Sequence, residues 1–210
     1  LHLLDDISSL DNLTKAFKKV KSNKGAPGID KVSIEAVQKN LGNYLTQIQE
    51  QLQNQSFKPS PVRRVNIPKK TGGSIALGIP TVIDRIVQQA ILQVLDSIFD
   101  ANFSDYSFGF RKGRSAQSAV KTAQDFVTTG KKVTLSIDFE KCFDMIDHNR
   151  LINQIRKRIS DKRVIRLIAL FLRAGVLENN VFSTTPKGTP QGGPLSPLLM
   201  NIFLHQLDSW

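Results

Sequence analysis

Asp138 closes the run Lys131 to Ile137, rich in β-branched and apolar residues, and is followed by Phe139-Glu140-Lys141-Cys142-Phe143-Asp144. About fifty residues downstream comes Gly188-Thr189-Pro190-Gln191-Gly192-Gly193-Pro194-Leu195-Ser196-Pro197, a Gly/Pro turn opening an apolar stretch. A carboxylate at the rigid end of a strand can hold a divalent ion, because Mg²⁺ takes one or two carboxylates plus phosphate oxygens rather than a full protein cage. Glycines in a turn let backbone approach a ligand closely. Together these suit phosphoryl transfer, which asks a protein for positioning and charge neutralisation more than for covalent chemistry. Each feature has a plainer alternative. Asp138 can cap a turn, Phe143 can be a core aromatic, and Gly-Gly-Pro makes a turn in any protein.

Cations accompany this pair of segments. Ser56 to Gly73 contains Lys58, Arg63, Arg64, Lys69 and Lys70 and no acidic residue. On a hairpin, alternate side chains of that run would face one groove and could contact phosphates. Ser107 to Ser115 is a loop with Phe108, Phe110, Arg111, Lys112 and Arg114. It suits gripping sugar-phosphate and stacking on bases, or equally a buried turn with solvated charges. Arg156, Lys157, Arg158, Lys162, Arg163 and Arg166 are opposed by Asp161 alone, and there a solvated helix surface is as good a reading. The whole chain of 210 residues carries 29 Lys+Arg against 18 Asp+Glu, a net charge of +11. That excess favours a polyanionic partner, nucleic acid before a membrane surface, since no apolar run is long enough to span a bilayer. Cys142 is the single cysteine, which leaves no intrachain disulfide or cysteine zinc site and suits a reducing cytoplasm.

The elements that must position these residues can be read from periodicity. Leu10, Leu13, Phe17 and Val20 mark a helix over residues 9 to 22, and Val37, Leu41, Leu45, Ile48 and Leu52 mark another. Val62 to Pro68 and Ile75 to Leu77 predict two strands joined by a turn at Lys69 to Gly73. Thr81 to Phe99 is the longest helical pattern; Ser115 to Val127 and a basic Leu151 to Leu172, broken near Ser160-Asp161, predict further helices. Lys131 to Ile137 predicts a buried strand. Asp147, directly before His148-Asn149-Arg150-Leu151, is placed as a helix N-cap, and Ser196 with Pro197 opens a last helix through Leu207. Helices on small antiparallel sheets, without regular alternation, predict an α+β fold.

The segment around Asp138, the Gly188 to Pro197 string, Gly25-Ala26-Pro27-Gly28-Ile29-Asp30, Ile67-Pro68-Lys69, Leu77-Gly78-Ile79-Pro80-Thr81, Asp84-Arg85 with Gln88-Gln89, and Ser107 to Ser115 together resemble the reverse transcriptases encoded by group II introns, also called maturases. The resemblance runs from Lys21 to Trp210. It implies a right-hand polymerase fold, with an N-terminal extension and fingers over residues 1–114 and part of a palm over 115–210, finger helices being interposed around 150–185. It implies RNA-directed DNA synthesis with two Mg²⁺ ions in the complete enzyme. Asp138 would be a catalytic metal ligand helped by the carbonyl of Phe139, and Phe143 would lie under the sugar of the incoming dNTP. Lys69, Gln191 and Gly192 would bind nucleotide. Lys24, Arg63, Arg64, Lys70, Arg85, Arg111, Lys112 and Arg114 would contact nucleic acid. Partners would be group II intron RNA, as template and in splicing, and a DNA primer; no membrane is implied, and a homodimer is compatible but not readable.

One departure stands out: Ile75-Ala76 occupy the place of the family's Arg-Pro. The family's Tyr-X-Asp-Asp hairpin is missing, so the chain reads as a piece of a longer protein, inactive alone, with the second catalytic hairpin, thumb and later domains absent. Two other functions fit the same residues, a non-catalytic intron RNA-binding module and a retron or defence-type reverse transcriptase.

Overall fold

The computed structural model describes residues 2–68, 74–189 and 192–208, the side chain of Ile75 excepted. Its centre is α5 (Val82–Asp100), which buries Ile86, Val87, Ala90, Ile91, Leu95 and Phe99 along the stripe that the 3.6-residue period sets out. Against α5 pack α1 (Leu3–Ser8), α2 (Leu10–Asn23) and α4 (Leu41–Gln53). From α2 come Leu13, Ala16, Phe17 and Val20; Leu10, counted in the sequence pattern, lies at the exposed end of the stripe. The predicted helix through Val37 and Leu52 is broken at Asn40 into α3 (Ile34–Lys39) and α4, the Asn40 backbone having left helical geometry.

The two predicted strands pair, with β1 (Val62–Pro68) antiparallel to β2 (Ser74–Ile79); the turn expected at Lys69 to Gly73 lies outside the described residues. The sheet is larger than expected and not purely antiparallel. A second hairpin, β3 (Val176–Glu178) and β4 (Val181–Ser183), lays β3 parallel to the start of β1, giving the order β2-β1-β3-β4. These three-residue strands are too short to leave a periodic signal, and Asn179 and Asn180 make their turn at positive φ.

Between β2 and β3, after α5, come α6 (Ala116–Thr128), α7 (Cys142–Met145), α8 (His148–Arg156) and α9 (Lys162–Leu172), and α10 (Ser196–Asp208) follows β4. Polar side chains start the helices where the sequence places them. Ser115 accepts a hydrogen bond from the N–H of Ser118, Asp147 from that of Arg150 and Asp161 from that of Arg163. The last helix begins at Ser196 itself, one residue earlier than expected.

The buried strand expected over Lys131 to Ile137 is not there. The segment is irregular, and its apolar side chains are open to solvent, Val133 at 92% and Leu135 at 81% exposure. A strand needs a neighbouring backbone for its N–H and C=O groups, and the four-stranded sheet does not reach it. Preceding α6 likewise buries none of its residues.

The start of α5 also holds the hairpin. Thr81 caps the helix by accepting from the N–H of Asp84 at 3.0 Å and donates its hydroxyl to the Asp84 carboxylate at 2.7 Å. The same carboxylate accepts from the N–H of Ser60 at 3.2 Å, which fixes the chain entering β1. Burial pushes Asp84 up to about 6, against hydrogen bonds from Thr81 and Ser60 that pull it down. The native state therefore keeps a proton that the unfolded chain releases near 3.8. The associated stability is full below about pH 4 and is lost as pH rises through about 6, a change of about 3 kcal/mol. Asp84→Asn should remove this dependence. In thermal melts from pH 4 to 7 the gap between wild type and variant should change with pH; a constant gap would show that Asp84 does not titrate in this window.

Candidate functional site

The two segments that carry chemistry in the sequence meet through backbone. Lys141, in the left-handed region at φ 50°, turns the chain into α7, and the fully buried Ile146 anchors its far end. Onto this turn the Gly188 loop docks. The N–H of Gly188 donates to the carbonyl of Ile146 and the N–H of Thr189 to that of Phe143, both at 2.8 Å. Buried His148 donates from Nε2 to the Gly188 carbonyl at 2.7 Å, and the Thr189 hydroxyl donates to that of Ser196 at 2.7 Å, tying the loop to α10. Gly188 takes φ +84°, and a Cβ there would lie 2.7 Å from the Asp144 carbonyl oxygen. Only glycine allows this approach.

Farther along, the loop touches the hairpin and α5. Gly192, at φ +106°, sits so close to the Gly78 carbonyl of β2 that a Cβ would collide with it, and Gly193 abuts the side chain of Gln88. A cleft of about 770 Å³ opens here between the end of α2, strand β2, α5 and the loop. Phe143 lines it, half-buried and edge-on to Phe110 with ring centroids 6.2 Å apart. Exposed Lys24 and buried Arg85 line it as well. The structure thus brings together four of the residues singled out from the sequence, namely Phe143, Gly192, Lys24 and Arg85.

Others are placed elsewhere or given other tasks. Asp138 and Phe139 are exposed on the irregular segment and do not line the cleft. Asp138 lies near enough to Cys142 to help burial raise that thiol. Lys69, Lys70 and Gln191, and the side chain of Ile75, lie outside the described residues.

Arg85 and Arg111, expected on nucleic acid, are both buried and hold protein carbonyls. Arg85, 8% exposed, donates to the carbonyls of Lys24 at 3.3 Å and Ala26 at 2.9 Å. Arg111, 9% exposed, binds the Asp100 carboxylate at 2.7 Å and the carbonyls of Ser104, Ser107 and Asp100, fastening the loop to the end of α5. Arg111 is thus engaged through all three of its nitrogens, whereas Arg85 uses its two terminal nitrogens and leaves Nε without a hydrogen-bond partner. Arg63 donates to the carbonyl of Pro27 at 2.9 Å, Arg64 pairs with Glu178 at 3.6 Å, and Arg114 holds Asp105 at 3.1 Å. Lys112 remains exposed. Sequence reasoning missed Thr189 with Ser196 and the role of His148; the one signal for the histidine was its place directly after the capping Asp147.

Among the described residues no group of three or more His, Cys, Asp or Glu side chains could hold a metal ion. Asp138 and the Phe139 carbonyl make only a partial donor set, which does not fit a bound ion by itself.

A mixed sheet clasped by helices, with a glycine loop docked on the turn after an acidic segment, defines a polymerase-like α+β fragment. The sequence profile described as reverse transcriptase (RNA-dependent DNA polymerase) matches residues 67–210, and the chain belongs to that family. It is 42% identical over 204 residues to the group II intron-encoded protein LtrA of Lactococcus lactis subsp. cremoris, covering 93% of this chain and 32% of LtrA. It is 36% identical over 214 residues to protein YkfC of Escherichia coli (strain K12), covering 99% of this chain and 56% of YkfC. The chain therefore spans between a third and just over half of these relatives. A solved partial Cas6-RT-Cas1–Cas2 complex superposes with a TM-score of 0.67 at 25% identity, covering 99% of this chain and 34% of that one. Within the family the resemblance to group II intron proteins holds.

Gly188→Ala should loosen the docked loop. The left-handed φ and the clash with Asp144 should together cost about 1–3 kcal/mol, or roughly 3–10 °C in melting temperature for a chain of this size. Gly109→Ala is the control, since nothing lies within 4 Å of its added Cβ. Equal melting temperatures for the two variants would contradict the docking.

Proposed function

We propose that this chain is the fingers and leading palm portion, residues 1–114 and 115–210, of a group II intron reverse transcriptase that copies intron RNA into DNA and assists its splicing. The observation that carries the reading is the docking of Gly188 and Thr189 onto the turn of Phe143 to Ile146, with Gly192 pressed on β2. That contact gives one cleft an aromatic side chain, small-residue backbone and cations, the surroundings a nucleotide at a primer end requires. Net charge of +11 supports a nucleic-acid partner. No helix among the described residues is long and apolar enough to cross a membrane.

In this reading Asp138, with the Phe139 carbonyl, binds Mg²⁺ in the complete enzyme, and further carboxylates come from sequence beyond this chain, as the share of LtrA covered suggests. Lys69, Gln191 and Gly192 attend the nucleotide. Lys24, Lys70 and Lys112 contact phosphates, while Arg63, Arg64 and Arg114 combine such contacts with their protein partners. Phe143 limits the sugar: a ring beneath C2′ leaves no room for a hydroxyl.

Two measurements on the full-length protein test this. Asp138→Asn should abolish primer extension while leaving RNA affinity within about twofold, because one charge leaves the metal shell where the ions do most of the catalysis. Extension near the wild-type rate would remove Asp138 from the site. Phe143→Ala should raise the efficiency of rNTP relative to dNTP by about tenfold or more, which is about 1.4 kcal/mol of lost discrimination. An unchanged ratio in a folded variant returns Phe143 to a packing role.

A further inference from the structure

Phe110 lines the cleft in a backbone conformation that its side chain does not favour. Its φ is 57°, in the left-handed region, where a bulky residue is an outlier. Gly109, the residue type suited to such a φ, comes one position earlier and is not in that region. The chain on either side holds the conformation in place. Asn201 of α10 donates from Nδ2 to the Gly109 carbonyl at 2.9 Å, and Arg111 is drawn inward by its bonds to Asp100, Ser104 and Ser107. Local strain of this kind persists only where the surroundings over-determine it, and it gathers at functional sites. What the strained turn delivers is an aromatic ring 72% exposed, on the wall of the cleft rather than in the core.

The ring meets Phe143. Their centroids are 6.2 Å apart and their planes 87° apart, the T-shaped geometry that the opposed charges of aromatic face and edge favour. Phe143 has need of such a neighbour. Its main chain is fixed, since its carbonyl accepts from the Thr189 N–H at 2.8 Å, but α7 is a single turn that buries none of its residues. The half-buried ring packs against the core cluster and still lines the open cleft. An aromatic side chain in that position has more than one staggered rotamer to choose between. A ring that turned aside would free the very space it is there to deny.

We infer that Phe110 is a positioning residue, a stop that holds the Phe143 ring in the orientation that excludes a 2′-hydroxyl. It acts through Phe143 and rests on the sugar role proposed for that residue. The strained turn at Phe110 is then the means by which the loop and α10 set the selectivity of the cleft. Stacking directly on a template base is the competing task for an exposed ring, and the two tasks differ in what they predict.

The test is the efficiency of rNTP relative to dNTP in primer extension by the full-length protein. Phe110→Ala should raise that ratio by about two- to tenfold, the worth of one aromatic pair, and leave the affinity for template RNA unchanged. Because the side chain is exposed, its loss opens no internal cavity. Phe110→Tyr keeps the ring and should keep the wild-type ratio. Beside Phe143→Ala, Phe110→Ala should add nothing to the ratio, since the ring it acts through is already gone. An unchanged ratio in Phe110→Ala overturns the inference, as does a tyrosine variant as relaxed as the alanine one. An effect undiminished beside Phe143→Ala also overturns it, placing Phe110 on the nucleotide itself. Lost template affinity with an unchanged ratio would make Phe110 a stacking platform instead. Should Phe110→Ala not fold, Phe110→Leu must still raise the ratio or the idea fails. If Phe143→Ala itself leaves the ratio unchanged, the sugar role falls and takes this inference with it; a failure confined to the Phe110 variants leaves that role standing.

Discussion

Everything the cleft can do depends on two backbone hydrogen bonds, from Gly188 to Ile146 and from Thr189 to Phe143. They join stretches more than forty residues apart in sequence and involve no side chain of either partner. Side chains therefore remain available to face the cleft, while the geometry is set by main chain, whose groups have no alternative partners once buried. His148 and the Thr189–Ser196 hydroxyl pair close the remaining valences around the joint. The left-handed glycine is the condition for all of it.

The sheet and α5 extend that joint into a surface. Gly192 lies on β2 because it has no Cβ to meet the Gly78 carbonyl, and Gln88 of α5 meets Gly193 on the other side. Asp84 then ties the start of α5 to the approach of β1. Because the partners of this buried carboxylate are a hydroxyl and an N–H rather than a fixed cation, burial is not offset and the stability depends on pH.

What the sequence revealed was governed by local rules. Long helices such as α5 and α9, and the caps at Thr81, Ser115, Asp147 and Asp161, arise from periodicity and from hydroxyl or carboxylate chemistry within three residues. The pairing of the Asp138 and Gly188 segments was legible as well, through their resemblance to a family. Non-local decisions were hidden. Lys131 to Ile137 has strand composition but no neighbour to pair with among the described residues, and β-propensity records fit to a surface rather than an intrinsic preference. Strands β3 and β4 were too short to register. That Arg85 and Arg111 hold carbonyls was hidden too, because a guanidinium in a sequence does not disclose whether carbonyls or solvent surround it.

The loop from Lys24 to Pro27 is held from two sides by guanidinium groups, Arg85 on the carbonyls of Lys24 and Ala26 and Arg63 on that of Pro27. Since carbonyls are common to every residue type, the tether is indifferent to the side chains it secures. The loop is free to vary its chemistry at Ala26 without losing its place beside the cleft, whereas Lys24 is limited by its φ of 56° and Gly28 by a Cβ that would meet the backbone of Thr81 at 2.6 Å. Replacing either arginine by lysine would keep the charge but lose the planar fork that spans separate carbonyls. The wall of the cleft is thus built so that its address is fixed by arginines on β1 and α5, and its message can be rewritten.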